Sequence, residues 1–561
     1  MIHSQRDNFR VSFPVRLAAL LVALAGGVAL SAACGQSTNP DSATAPEESE
    51  DPRDAKLREL EARVKATEQL LNGSRKQRAR TDKETPGAKD SFAAMTTVAD
   101  DQYQTDTERM ENLEERFRFL ESKVTEKKEG YPTWRVTGFL QVDNAWYSQS
   151  PLNIATVGNA QDGMDIRRAR LAVLGKAAPK TLYQLEVDFA AAGHPSFFDN
   201  YIEQEDLPFL GALRAGQYLQ PFSVDAMSGF RNLPFLERSL PFLAFVPFRR
   251  IGIMASNNSE DERTYWAYSG FRTGGFNDAP LGDSQFATDF GNIGGYSFST
   301  RVTHLLIYEG DEYLWHVGGA YNFSELGAND ATGSGTPGNA GSPKPFYQAR
   351  TTPEFFLGDP SLPQNFGSAV NGTPFFISSG RYEARNFNLW GVESVYQHGP
   401  FSFQAEWMGT LVDSVVGPVF YHGAYAEVMY RLTGEHRHYD KKLAALRNPV
   451  PTEDFISFAK DGLGFRGWGA WELAARLSYV EIRNPGSLSG HYYDSAKNTF
   501  TAPSSTGALG NGTLTDTTLG VNWYLNAHTK WQFNWIHAFL NNTANGFSQA
   551  DLFVTRIQVD F

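Results

Sequence analysis

Six arginines fall in two short stretches, DIRRARL at 165–171 and FLERSLPFLAFVPFRRIGI at 235–253. A guanidinium is always charged and offers a planar fork of N–H donors that fits the oxygens of a carboxylate or phosphate. The chemistry these residues offer is non-covalent recognition of anions. Bond-making chemistry would need a nucleophile beside a base, or a set of metal ligands. His304, His316, His398, His436 and His438 are scattered, with no nucleophile motif and no metal-ligand spacing around them. No enzyme activity, metal or cofactor is expected.

The second stretch also poses a conformational problem. It is too apolar for a solvated loop, while Pro234, Pro241 and Pro247 would break a helix or a centrally paired strand. The surrounding elements must supply its environment, and the ends of the chain say what kind of protein they build. Arg6, Arg10 and Arg16, the apolar run LAALLVALAGGVAL and the small residues SAAC have the anatomy of a secretory signal peptide over 1–33. Fourteen apolar residues fall short of the ~20 that a spanning helix needs. Cys34, the only cysteine, permits no internal disulfide; it is either a residue beside the cut or a lipidated N-terminus.

Residues 34–130 read as a polar periplasmic segment with two short coiled-coil seams. Leu57, Leu60, Val64, Thr67 and Leu71 form one, and Met110, Leu113, Phe117, Leu120 and Val124 the other, with polar sequence from 72 to 106 between them. Helices this short are marginal alone, which favours association with further copies. The alternative is a solvated charged helix that packs on nothing.

From Tyr131 the period changes to two. In WELAARLSYV, Trp471, Leu473, Ala475, Leu477 and Tyr479 share one face, and Glu472, Ala474, Arg476 and Ser478 the other. YQLEVDFA, FSFQAEW, TLGVNWYLN and the closing DLFVTRIQVDF repeat the plan. The polar face is too charged for a sandwich core but suits a watery pore, and the apolar face, rimmed by Trp and Tyr, suits lipid. A closed barrel satisfies every strand hydrogen bond, as a bilayer demands. No run of ~18 apolar residues follows the signal, which excludes spanning helices. Aromatics at 13%, 51 glycines, a mean hydropathy of -0.38 and a net charge of -13 fit the same class. The fold class is therefore all-β: a transmembrane antiparallel β-barrel over 131–561, of about 16 strands at 25–30 residues per strand and connection. Stretches 329–344 and 495–516 read as long extracellular loops, and GEHRH at 434–438 as a periplasmic turn.

The blocks GFLQVD, DIRRARLAVLGKA, FFDNYIE, LRAGQYLQPFSVD, FLERSLP, LWGVESVYQHGPFSFQAEW, GAWELAARLSYV, TLGVNWYLN and FVTRIQVDF occur in an order that resembles the phosphate-selective porins O and P. The resemblance implies a homotrimer of 16-stranded outer-membrane barrels, each narrowed by inward-folded loops and lined by Arg and Lys that pass phosphate or polyphosphate. It places Arg167 and Arg168 on the paired arginines of a family strand, Arg238 on the constriction-loop arginine, and Asp199 on the acid near the anion. Three basic positions of the phosphate-specific members fall instead on Phe139, Leu182 and Ala226.

Charge balance bears on selectivity. Residues 131–561 hold 30 Lys and Arg against 40 Asp and Glu, a net of -10, so long-range steering does not favour anions unless the acids lie mainly outside the lumen. Alternation puts Glu186, Asp188, Glu406 and Glu472 inside, where each could be a wall ion pair that only keeps the lumen wet. It also separates the arginines. Arg168 and Arg170 share the polar face, while Arg167 falls with Ala169, Leu171 and Val173 and must bend inward, end a strand or snorkel. Arg250 falls on the lumen side with Gly252, and Arg249 receives no role. The expected pore-lining set is Arg168, Arg238, Arg250, Arg167, Arg170 and Asp199. Expected partners are small anions, outer-membrane lipid and two further copies of the chain, with no nucleic acid. A less selective general-diffusion porin, whose N-terminal segment also ties the outer membrane to the cell wall or envelope proteins, is the alternative. The 235–253 stretch then reads as a loop folded into the lumen, with Leu240, Phe242 and Phe245 against the wall.

Overall fold

The computed structural model describes residues 130–190, 195–273, 295–326, 346–358, 372–380, 382–459, 462–465, 467–488, 492–494, 499–501 and 511–561. The signal peptide, Cys34, both coiled-coil seams and most of the two expected extracellular loops lie outside the described residues.

Sixteen wall strands are present among the described residues. The first four are β1 (Arg135–Gln149), β2 (Gly163–Ala178), β3 (Thr181–Asp188) and β4 (Ser196–Leu207). Next come β5 (Gly211–Leu219), β6 (Arg249–Asn258), β7 (Thr264–Arg272) and β8 (Tyr296–Tyr308). They continue as β9 (Tyr313–Glu325), β10 (Tyr382–His398), β11 (Phe401–Ser414) and β12 (Gly417–Arg431). The last are β13 (Ala470–Ile482), β14 (Gly512–Asn526), β15 (Thr529–Asn542) and β16 (Gly546–Asp560). Each pairs antiparallel with its neighbour in sequence, and β1 pairs with β16 from Phe139↔Asp560 to Gln149↔Ala550, closing the barrel. Closure leaves the wall no open edge.

The alternation read from the sequence is the in–out pattern of the wall. On β13, Leu473 and Leu477 are 45% and 56% exposed on the lipid side, whereas Glu472 and Arg476 are buried inward. Trp471 of β13 stacks on Trp523 of β14 with ring centroids 4.8 Å apart on the outer face. β14 begins at Gly512, so residues 513–516, expected in a loop, are wall strand: their Thr–Leu–Thr alternation already belongs to the ladder with β15.

The lumen is filled by inward-folded segments rather than left open. Residues 220–248 connect β5 to β6 and carry the helices α1 (Val224–Met227) and α2 (Leu240–Phe245). Pro241 stands at the start of α2, where a missing N–H costs nothing, so it begins a helix instead of breaking one. Proline removes donors but leaves carbonyls, and wall side chains satisfy these: Asn522 donates to the carbonyl of Pro234, Lys530 and Gln532 to that of Leu233, and Arg556 to that of Leu236. Leu240, Phe242 and Phe245 are buried against the wall. Gly391 of β10 leaves room for the same loop, since a Cβ there would stand 2.9 Å from the Phe222 ring.

A second segment folds inward where the sequence predicts a periplasmic turn only. The connection between β12 and β13, 432–469, lies at the rim of the short turns and of both barrel termini. Far from a simple turn at GEHRH, it forms a hairpin, Arg437–Asp440 against Ala445–Pro449, that turns into the barrel. Tyr439 meets His316 of β9 at 2.7 Å, Arg301 of β8 donates to the carbonyls of Leu443 and Ala444, and Arg437 reaches the Asn232 carbonyl of the 220–248 loop. Only contacts with distant strands decide that this piece folds inward, and local pattern does not carry them. A third contribution comes from 346–358 and 372–380, which pair at Arg350–Thr351 with Ile377–Ser378 and set Glu354 against Arg476 at 2.8 Å.

Candidate anion constriction

The arginine pair on β2 is resolved by a β-bulge. In the β1–β2 ladder Gln141 faces Arg168 and Val142 faces Ile166, so Arg167 is the extra residue. A bulge leaves one residue unpaired and re-aims its side chain. Both consecutive arginines therefore turn inward, against simple alternation. They meet one carboxylate: Arg167 Nε lies 2.9 Å and Arg168 Nη2 2.8 Å from Glu237 of the inward loop. Arg556 of β16 joins them at 3.1 Å while holding Asp143 with both arms of its fork at 2.7 Å. Burial alone would raise the Glu237 carboxyl, but the guanidiniums of Arg167, Arg168 and Arg556 outweigh it and hold it well below the ordinary carboxylate range.

Arg238, one residue on, is built differently. Its side chain is 1% exposed and lies between the rings of Phe230 and Phe242, 4.5 and 4.6 Å from their centroids. Nε, Nη1 and Nη2 have no hydrogen-bond partner among the described residues, and the nearest counter-charge, Asp225, stands 3.6 Å from Nη1. Burial, with Arg249 and Arg170 adding and Asp225 and Glu237 opposing, pushes it down to about 10, so it is charged at neutral pH. A buried guanidinium with idle donors is a cation with capacity for an anion.

The other expected residues are placed as follows. Arg170 is committed to Asp188 at 2.8 Å and approaches Glu186 at 3.7 Å. Asp199 binds Arg249 through both oxygens, at 3.1 and 3.0 Å, which gives a position to the arginine that alternation left without one. Arg250 is buried, and its carbonyl accepts from Gln220 at the foot of the loop. Around the single ring of Phe230 lie Arg168 at 3.9 Å, Arg238 at 4.5 Å, Arg170 at 4.6 Å and Arg249 at 5.7 Å. The structure thus brings the guanidiniums of Arg168, Arg170, Arg238 and Arg249 around Phe230, with Arg167 beside Arg168 on Glu237.

Sequence reasoning missed Glu237, Phe230 and Arg556. The alternation of β16 already put Arg556 inside, and that signal was sufficient to include it; Glu237 and Phe230 carry no such signal. Phe139, in place of a family arginine, puts its ring 5.5 Å from Arg170 and 4.8 Å from Arg231, so an aromatic face stands where a cation would have been. Six arginines (167, 168, 170, 238, 249 and 556) are met by six carboxylates, Asp143, Glu186, Asp188, Asp199, Asp225 and Glu237.

Comparison with known proteins identifies the family of the chain. The profile of the family described as phosphate-selective porin O and P matches residues 143–352 and 370–561. A curated relative, Porin O of Pseudomonas aeruginosa, is 25% identical over 465 residues, covering 79% of this chain and 91% of that protein. Among solved structures, an anion-selective porin from Comamonas acidovorans aligns at 11% identity over 76% of this chain and 99% of its own, with a TM-score of 0.41. OprB of Pseudomonas putida aligns at 9% identity over 76% and 94%, with a TM-score of 0.42. With a profile match that spans most of the barrel, the chain belongs to the phosphate-selective porin O and P family.

Proposed function

We propose that this outer-membrane barrel is a channel for passive diffusion of small anions such as phosphate or polyphosphate, with Arg238 as the principal contact and Arg168, Arg167, Arg170, Arg250 and Asp199 around it. The observation that carries the reading is the Arg238 guanidinium, buried at the inward loop with no hydrogen-bond partner for its three nitrogens among the described residues. Family membership supports it independently. An anion that sheds water at a constriction needs charge-assisted donors in return, and rings of Arg are one way to build such a pore. A weak, poorly paired site also suits conduction, because the ion must leave again.

A less selective pore for small polar solutes is the second reading, favoured by the even match of arginines and carboxylates at the loop. Reversal potentials of the reconstituted channel in asymmetric potassium chloride and potassium phosphate separate the two. A potential set by the anion supports the proposal, one near zero supports the general pore, and one set by the cation overturns the anion-channel reading. The homotrimer rests on the family resemblance, and cross-linking of the purified full chain tests it. The N-terminal segment as a tether to the cell wall is tested by deleting 47–128 and scoring envelope integrity against conductance.

A further inference from the structure

Glu237 has the geometry of a bound anion. Its two oxygens receive Arg167 Nε, Arg168 Nη2 and Arg556 Nη2 at 2.9, 2.8 and 3.1 Å, from two wall strands on either side of β1. Such convergence of guanidiniums is unfavourable without a counter-charge, and it requires the bulge that turns Arg167 inward. The side chain is 2% exposed, and its neighbour Arg238 has every nitrogen idle. One two-residue step of the loop thus carries a filled guanidinium site and an unfilled guanidinium side by side.

We propose that Glu237 is a tethered counter-anion that determines the channel's selectivity: it occupies the Arg167–Arg168–Arg556 site, competes with the passing oxyanion for those donors, and keeps the anion's affinity low. This rests on the anion-channel reading above. A carboxylate and a phosphate offer the same fork to arginine, so the incoming ion can exchange with Glu237 without stripping the guanidiniums of hydrogen bonds. Removing this one negative charge leaves the arginines that meet these carboxylates in excess by one, which makes the site more positive. The Glu237 carboxylate is therefore a specificity-determining group, while Arg238 remains the contact that it does not occupy.

The test is the full-length channel with Glu237→Gln and with Glu237→Asp, reconstituted in planar bilayers and titrated with inorganic phosphate against chloride current. With Glu237→Gln, the phosphate concentration for half-block falls by about tenfold, as expected for loss of one nearby charge whose effect lumen water and salt largely screen. The anion-to-cation permeability ratio rises with it. Glu237→Asp keeps the charge and stays within about twofold of the parent. An unchanged or weaker block in Glu237→Gln, or an equal change in both variants, overturns the proposal, the latter because it would report loop displacement instead of charge. Cation selectivity in the parent channel overturns the anion-channel reading itself, a separate outcome read before either variant is made.

Discussion

Replacing Arg238 by glutamine removes a buried guanidinium whose nitrogens have no hydrogen-bond partner among the described residues. An anion passing at about 4 Å from a unit positive charge gains ~4 kcal/mol at an effective dielectric of 20. Asp225, 3.6 Å from Nη1 on the loop side, sits about twice as far from that anion and opposes it by roughly half as much. Lumen water and salt reduce both figures. At 1.4 kcal/mol per decade, the expected loss in apparent phosphate affinity is between about tenfold and a hundredfold. Adding Asp225→Asn to Arg238→Gln removes the remaining repulsion and restores about half of that free energy. Some loss of stability is expected with Arg238→Gln alone, because buried Asp225 loses the counter-charge 3.6 Å away, and Asp225→Asn relieves it. The assay is phosphate block of chloride current, with thermal melting of the same preparation alongside. An affinity within twofold of the parent, or a loss that Asp225→Asn fails to reduce, would refute the assignment of Arg238 as the principal contact.

Glu393→Gln should be destabilising, not merely a change in conduction. Arg301, fully buried, holds Glu393 at 2.6 Å, and His316 meets the same carboxylate at 2.9 Å, so neutralising the acid leaves a buried charge uncompensated at a cost of about 3–5 kcal/mol. A clear drop in the temperature at which the folded barrel loses its compact gel mobility is expected, and an unchanged temperature would show that the pair is better solvated than its burial indicates. Replacing residues 436–449 by a short Gly-Ser link should raise single-channel conductance. The hairpin's ends are adjacent at Arg437↔Pro449, so the cut is geometrically easy, and it removes the Arg437 and Asn448 contacts that hold the loop at Arg231 and Asn232. Unchanged conductance would mean that the hairpin only lines the wall.

Much of the architecture was written in the period of the sequence. A two-residue repeat with charge on one face and apolar side chains on the other can be satisfied only where one side is wet and the other is lipid, and such a sheet must close. Leu473, Glu472, Leu477 and Arg476 lie where that repeat puts them, while Leu240, Phe242 and Phe245, expected against the wall from an inward loop, are buried there on a short helix. The closing strand's inward Arg556 was legible by the same rule. What alternation could not yield is a change in its own phase. The bulge at Arg167 depends on how β1 and β2 register, a non-local property, and it alone turns two successive arginines to one side.

The pairing of those arginines with Glu237, and of Asp199 with Arg249, likewise belongs to the tertiary structure. These partners lie 50 or more positions apart in the chain, and nothing in local composition distinguishes a guanidinium with a carboxylate from one without. The hairpin at 437–449 makes the same point, since its inward course is fixed by Arg301, His316 and Asn232, each over 120 residues away. The sequence by itself determined that a charged lumen exists and which strands face it, because period and polarity are local. Which of its charges are already neutralised, and which are left for an ion, was decided only when the chain closed, because neutralisation depends on distances between strands that the linear order does not contain.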